Sequence, residues 1–317
     1  MNNDYICRIM RGERTLGIRI TEGILQLQGR LPLACHRWWA RRIAWLAGSV
    51  LHYREHVVTA NLARSFPEKD YKELDAIRRR FYLHFATVLT ETVWFGACRG
   101  PKGRERLRRS QIARITNAPV LNQLASGARQ LMILQSHTGN WELIGGLREY
   151  AQDSPLDLSP AAFAVTYRPL SSPLWDSIMA RSRQAPVQDL GFQGYVSTDN
   201  VLRFVLEKRE QPFAYSFITD QYPYGAREGE PITFMHQPTH TLVAAAKLAV
   251  KLDMAVAYLR FECREGGGYN LSFVPLAAHA AQSAPLDLMK QYYKLLEEDL
   301  QRQPWNYLWT HKRWKKS

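Results

Sequence analysis

From about residue 129 onward the chain alternates short, apolar, β-rich runs with stretches of helical period, and this alternation constrains its fold more than any other feature. Strands are predicted at 131–135, 162–167, 213–219, 254–261 and 269–274, where apolar and aromatic residues crowd between turn signals. Helices are predicted between them at 140–151, 172–183, 197–208 and 239–252, with a last one at 285–302. Such alternation buries a sheet between helical layers, so the fold class is α/β, with a mixed or mostly parallel central sheet flanked by helices. Gly266, Gly267 and Gly268 between the last two strands predict a hairpin, and with it one antiparallel edge.

The first 128 residues read as helical, with Arg-rich faces and few β-branched runs. One helix closes before Pro67, because a proline biases the preceding residue away from helix. Another is predicted from about Lys69 to Trp94, with Leu74, Ile77, Phe81, Phe85 and Val88 on one side. Gly100-Pro-Lys-Gly103 ends that stretch, and Arg104 to Arg109 form a basic cluster. The predicted organisation is one domain in two stretches: a helical region over 1–128, and an α/β core over 129–317. With 46% apolar residues in 317, the chain can bury a substantial core.

Residues 31–51 are the most apolar and Trp-rich part of that helical region. His36, Arg37, Arg41 and Arg42 interrupt them, so a membrane-spanning helix of roughly 20 apolar residues is not expected. At helical period Trp39, Ile43, Leu46 and Val50 share one face, and Arg37 and Arg41 lie on another. Two readings fit: a helix lying in a bilayer interface, or an amphipathic helix packed on its own domain.

The balance of 42 Lys+Arg against 29 Asp+Glu leaves a formal charge of +13. That excess suits a polyanionic partner, namely nucleic acid, an anionic membrane face, or an acidic carrier protein or phosphorylated substrate, or it serves solubility alone. Cys7, Cys35, Cys98 and Cys263 form no C-x-x-C pair and have no His at ligand spacing, which argues against a zinc site and a disulfide framework. No secretory signal pattern is present at the start, so the working part is expected to face the cytoplasm.

The chemistry concentrates in Ser136-His-Thr-Gly-Asn-Trp-Glu142, directly after the predicted strand 131–135. Ligands of open α/β sheets bind outside the carboxyl ends of strands, which makes the position informative. On a continuous helix His137 and Glu142 would point about 140° apart, but they can meet if His137 sits in a loop and Glu142 in the first helical turn. Gly139 permits the tight turn this needs, and Asn140 is a credible N-cap whose helix N-terminus would aid an oxyanion. In that arrangement Glu142 would hold the imidazole in one tautomer while the other ring nitrogen takes a proton from an acceptor hydroxyl. No serine elbow or catalytic cysteine is evident, so direct attack on an activated acyl group is simpler than a covalent intermediate. The plainer alternative is a loop histidine bonded to a carboxylate without catalysis.

This segment resembles the His-x4-Glu signature of the late lauroyl and myristoyl acyltransferases of bacterial lipid A biosynthesis, within the lysophospholipid-acyltransferase-like superfamily. Thr138 stands where that pattern usually has an aromatic residue. Asn61-Leu-Ala-Arg-Ser-Phe-Pro67 and Glu91-Thr-Val-Trp-Phe95 resemble the family's N-terminal segments. Tyr167-Arg-Pro169 with Ser171 to Asp176, and Asp220-Gln221 with Phe234-Met235, resemble its second and third motifs. Trp305 to Trp314 resembles its C-terminal signature, and the matches run in order over most of 40–315.

The resemblance implies a glycerolipid-acyltransferase-like fold with a membrane-associated N-terminal helical region, and an acyltransferase that needs neither metal nor other cofactor. It implies transfer from an acyl carrier protein thioester to a hydroxyl of a phosphorylated lipid A precursor, at the cytoplasmic face of the bacterial inner membrane. His137 and Glu142 would be catalytic, Gly139 and Asn140 would position or stabilise the oxyanion, and Arg168, Asp220 and Gln221 would serve substrate binding. Arg168 also suits a salt bridge, with Asp220 as the partner that organises the site. Glu91 reads as a surface charge rather than a lining of the acyl groove. The aromatic and basic residues from Trp305 to Trp314 suggest headgroup contact, against packing on the core. Two rivals stay open: acylation of another lipid, such as an amino-acid lipid or glycolipid, and a non-catalytic basic module for nucleic acid or membrane. The dispersed basic residues argue against nucleic acid as a partner.

Overall fold

The computed structural model describes residues 16–222 and 229–314; Cys7 lies outside them. The chain opens with α1 (Leu16–Gly29), α2 (Leu33–Trp45), a π turn (Leu46–Val50), α3 (Glu55–Ser65), α4 (Tyr71–Gly96) and α5 (Gly100–Ser110). The long helix α4 starts at a reciprocal cap. Asp70 Oδ1 accepts the Glu73 N–H and Glu73 Oε2 accepts the Asp70 N–H, both at 2.9 Å, which satisfies two otherwise orphaned donors. Among the described residues no helix is long and apolar enough to cross a membrane.

The remainder builds β1 (Ala113–Ile115), α6 (Ala118–Gly127), β2 (Gln130–Gln135), a 3-10 helix (Trp141–Gly146), α7 (Leu147–Tyr150), β3 (Phe163–Tyr167), α8 (Pro173–Gln184) and β4 (Gly194–Ser197). It continues with α9 (Val201–Lys208), β5 (Phe213–Ile218), β6 (Glu230–Phe234), β7 (Gln237–Thr241), α10 (Ala244–Lys251), β8 (Ala255–Cys263), β9 (Tyr269–Ala277) and α11 (Pro285–Arg302). Seven strands form one mixed sheet in the order β1-β9-β8-β2-β5-β3-β4. All its pairings are parallel except β8 with β9, the hairpin that turns at the three glycines. β6 and β7 form a separate antiparallel pair.

Strand β2 is apolar from Leu131 to Leu134 because both faces of the sheet are covered. Successive side chains of a strand point to opposite faces. Accordingly Met132 and Leu134 join the core shared with α10 and α11, while Leu131 and Ile133 join the core under α6. Each such side chain, fully removed from water, contributes roughly 1.5–3 kcal/mol.

The five predicted strands and the last helix are present. The structure adds β1, β4, β6 and β7, and corrects two helices. The predicted helix 140–151 is a 3-10 helix followed by a single α turn, and 239–252 begins as strand β7 before α10.

Helix α2 lies along α4: His36 and Ala40 are buried, and Ala44, with Ala47 of the π turn, packs on the core. The opposite side carries Trp38, Trp39 and Trp45, which are 46%, 46% and 62% exposed, followed by Leu46, Val50 and Leu51. The Arg42 guanidinium lies 5.0 Å from the centre of the Trp38 ring. Ile20, Ile24 and Leu27 of α1 are likewise exposed.

The C-terminal signature packs inward. Tyr307, Trp309, Arg313 and Trp314 are buried, and Trp305 lies beneath the Arg80 guanidinium, so the headgroup-contact expectation for these rings is corrected. Asn61 Nδ2 donates to the carbonyls of Trp309 and His311 at 2.9 and 3.0 Å, which joins the first family-like segment to the last.

Candidate active site

β2, β5 and β3 are neighbouring parallel strands, and His137, Asp220 and Arg168 follow their carboxyl ends. Gln135 pairs with Ile218, so His137 and Asp220 stand at matched positions two residues beyond that pair. Two tyrosines of α11 anchor the strand ends. Tyr292 donates to the Gln135 carbonyl at 3.0 Å and Tyr293 to the Thr219 carbonyl at 3.3 Å.

His137 and Asp220 are bonded to each other, Nδ1 to Oδ1 at 2.8 Å. Burial works to raise the Asp220 carboxyl, but the charge and hydrogen bond of His137 outweigh it and hold the group below the ordinary carboxylate range. An ionised carboxylate only accepts, so Nδ1 of His137 donates in this bond and carries a proton. The other ring nitrogen, Nε2, lies 3.1 Å from Gln221 Nε2, a contact in which the amide donates when the ring is neutral. The Trp141 ring meets the imidazole edge to face at 5.0 Å.

This corrects the expected pairing of His137 with Glu142. His137 does sit in a loop and Glu142 in the first turn of the 3-10 helix. The Glu142 carboxylate is nevertheless engaged by Arg183 through two nitrogens, with Nη2 2.7 Å from Oε1, and by Trp141 Nε1 at 2.9 Å. A forked guanidinium satisfies both carboxylate oxygens at once and leaves little for the imidazole. Burial works to lower the Arg183 guanidinium, but Glu142 overcomes it and raises the group. Sequence reasoning assigned Arg183 no role.

The turn between them needs its glycine. Gly139 has φ +59°, and a Cβ there would stand 2.5 Å from the Phe261 Cβ. Its N–H donates to Asn306 Oδ1 at 2.6 Å, and Asn306 Nδ2 donates to the Phe261 carbonyl at 2.9 Å. Asn140 is the N-cap as expected, its Oδ1 accepting the Glu142 N–H at 3.3 Å, while its Nδ2 donates to Glu91 at 3.2 Å. The Gly139 N–H and the Asn140 side-chain amide are thus engaged within the protein. Their geometry supports positioning.

Glu91 is a further correction: it is fully buried, not a surface charge. The signal was present in its spacing, since Phe81, His84, Val88, Glu91 and Phe95 recur every three or four residues along one buried face of α4. Arg168 is exposed just past β3 and engages a partner other than solvent.

Beside the site lies a cavity of about 460 Å³, framed by α1, α4 and α8. Its wall includes Leu25, Val88, Leu89, Trp175, Ile178 and Met179, and Trp141 and Glu142 line it next to the turn that follows His137. Arg181 and Glu22, paired at 2.5 Å, link α8 to α1. An apolar cleft of this size with a few polar groups at one end has the character of a small-molecule site.

Over residues 11–316 the chain matches the family described as bacterial lipid A biosynthesis acyltransferase. It is 24% identical over 307 residues to the lipid A biosynthesis palmitoleoyltransferase of Escherichia coli (strain K12), covering 92% of this chain and 89% of that protein. The same identity and coverage relate it to a lipid A biosynthesis acyltransferase of Shigella flexneri. With the match extending over nearly the whole chain, this protein is an acyltransferase and belongs to the bacterial lipid A biosynthesis acyltransferase family.

Proposed function

We propose that this acyltransferase moves a fatty acyl chain from an acyl carrier protein thioester to a hydroxyl of a lipid A precursor at the cytoplasmic face of the inner membrane. The observation that carries the reading is the His137–Asp220 pair, bonded at 2.8 Å, with Trp141 and Glu142 joining it to the apolar cavity. The acyl chain lies in that cavity with its thioester carbonyl toward His137. The acceptor hydroxyl replaces the Gln221 amide at Nε2, gives its proton to the imidazole and attacks the carbonyl carbon. The tetrahedral intermediate collapses as the carbon–sulfur bond breaks, and Nε2 returns the proton to the departing thiolate. Asp220 stays ionised throughout and stabilises the imidazolium. The displaced Gln221 amide is a donor for the developing oxyanion, and Arg168 at the same strand edge meets an acceptor phosphate.

The exposed rings of α2 and the apolar face of α1 support docking on a lipid surface, with Arg42 against Trp38 at headgroup depth. Membrane association here is interfacial. The +13 charge draws both the anionic leaflet and acidic or phosphorylated substrates.

The test is to incubate purified protein with acyl carrier protein thioesters of several lengths and a panel of lipid acceptors, followed by mass spectrometry. A lipid A precursor gaining one acyl group is the expected product. Transfer only to another glycolipid or amino-acid lipid overturns the acceptor, and transfer only from a coenzyme A thioester overturns the carrier.

A further inference from the structure

A carboxylate on α4, away from the reacting atoms, is tied directly to the turn that follows His137. Glu91 is 0% exposed on the helix that also buries Val88, Trp94 and Phe95, and burying an acidic side chain is costly. Its Oε2 accepts from the Tyr269 hydroxyl at 2.8 Å and from Asn140 Nδ2 at 3.2 Å. Its Oε1 has no hydrogen-bond partner, and Arg37 Nε is 3.8 Å from it. Burial raises the Glu91 carboxyl above the ordinary range, against the lowering influence of Tyr269, Asn140 and Arg37.

The two ends of an asparagine amide have nearly the same shape but opposite hydrogen-bonding character. In the observed orientation Asn140 turns its oxygen to the Glu142 N–H and its nitrogen to Glu91. The reversed amide would set donor against donor at Glu142 and acceptor against acceptor at Glu91.

We propose that Glu91 is a positioning residue: by accepting from Asn140 Nδ2 it selects the amide orientation that caps the 3-10 turn and so holds the loop carrying His137. The required property is the acceptor at Oε2, not the charge, so glutamine at this position serves. The effect on turnover rests on the acyl-transfer reading above. The effect on the loop does not.

The experiment combines backbone hydrogen exchange of peptides covering 137–146 with steady-state kinetics for Glu91→Leu, Glu91→Gln, Asn140→Ala and Tyr269→Phe. Leucine at 91 is expected to speed exchange in this loop at least about tenfold and lower kcat about a hundredfold, with KM little changed because the acyl cavity is intact. Glu91→Gln restores both to within about threefold, and Tyr269→Phe leaves loop exchange near the wild-type rate because Asn140 keeps its acceptor. The double variant Glu91→Leu with Asn140→Ala is no worse than either single, as expected for one shared interaction. If Glu91→Leu does not fold, Asn140→Ala must reproduce the loop and kcat effects by itself. Unchanged loop exchange in Glu91→Leu or Asn140→Ala, or equal loosening in Tyr269→Phe, overturns the proposal. Loosened exchange in a protein whose wild type transfers no acyl group leaves the positioning role standing and rejects the acyl-transfer reading.

Discussion

His137 is held by Asp220, 83 residues further along the chain, through a 2.8 Å bond from Nδ1 to Oδ1. The nearer carboxylate, Glu142, is committed to Arg183. The two acids of the site therefore have different duties, and variants separate them.

Asp220→Asn keeps the shape at the strand end but removes the charge that stabilises the imidazolium and can select the wrong tautomer. We expect kcat to fall about 10²- to 10⁴-fold with KM little changed. Steady-state acyl-transfer kinetics measure this, and a fall smaller than about threefold contradicts the role assigned to Asp220.

Glu142→Gln strands the guanidinium of Arg183, whose side chain is only 18% exposed. A loss of about 3 kcal/mol of stability is expected in denaturant unfolding. Replacing both partners, Glu142→Leu with Arg183→Met, should cost clearly less than the single change. Equal or greater loss in the double variant argues against an ion pair as the main duty of Glu142.

Burial holds the His84 imidazole down at about 4, against an opposing contact with the Gly139 backbone. An unfolded histidine titrates near 6.5, so between about 6.5 and 4 the unfolded chain binds a proton that the fold refuses. Stability from this group therefore falls as pH drops through that window, by about 3 kcal/mol in all, and levels off below it. Unfolding free energies from pH 7 to 4 should decline more steeply in the wild type than in His84→Gln. Parallel curves contradict the assignment.

Exchanging Trp38 and Trp45 for serine removes two rings that contact solvent rather than core. Binding to anionic phospholipid vesicles, followed by flotation, should weaken at least about tenfold while folding stability changes by less than about 0.5 kcal/mol. Unaltered flotation would show that α2 is not the lipid-facing element.

Much of this architecture was legible in the sequence because its signals were local. β2, β5 and β8 announce themselves as apolar runs, and Gly266 to Gly268 mark the hairpin between β8 and β9. β6 and β7 did not, since polar and proline residues such as Glu230, Pro231, Gln237 and Pro238 dilute the pattern, and β1 has only three residues. At the site, the loop, the strand end and the cap at Asn140 were all readable from 137–142. The partner of His137 was not, because sheet register rather than chain proximity brings Asp220 to it, and nothing local distinguished Glu142 as the acid that Arg183 would claim. Arg183 and Asn306 reach the turn from α8 and the C-terminal segment, contacts that only the packed fold creates.

The central claim is that Nε2 of His137 is the base of acyl transfer. The most direct measurement is the single-turnover rate of His137→Ala against wild type, on protein shown to be folded by its unfolding transition, with a lipid A precursor and an acyl carrier protein thioester. The account predicts a fall of at least about a hundredfold. A rate near that of the wild type would contradict it.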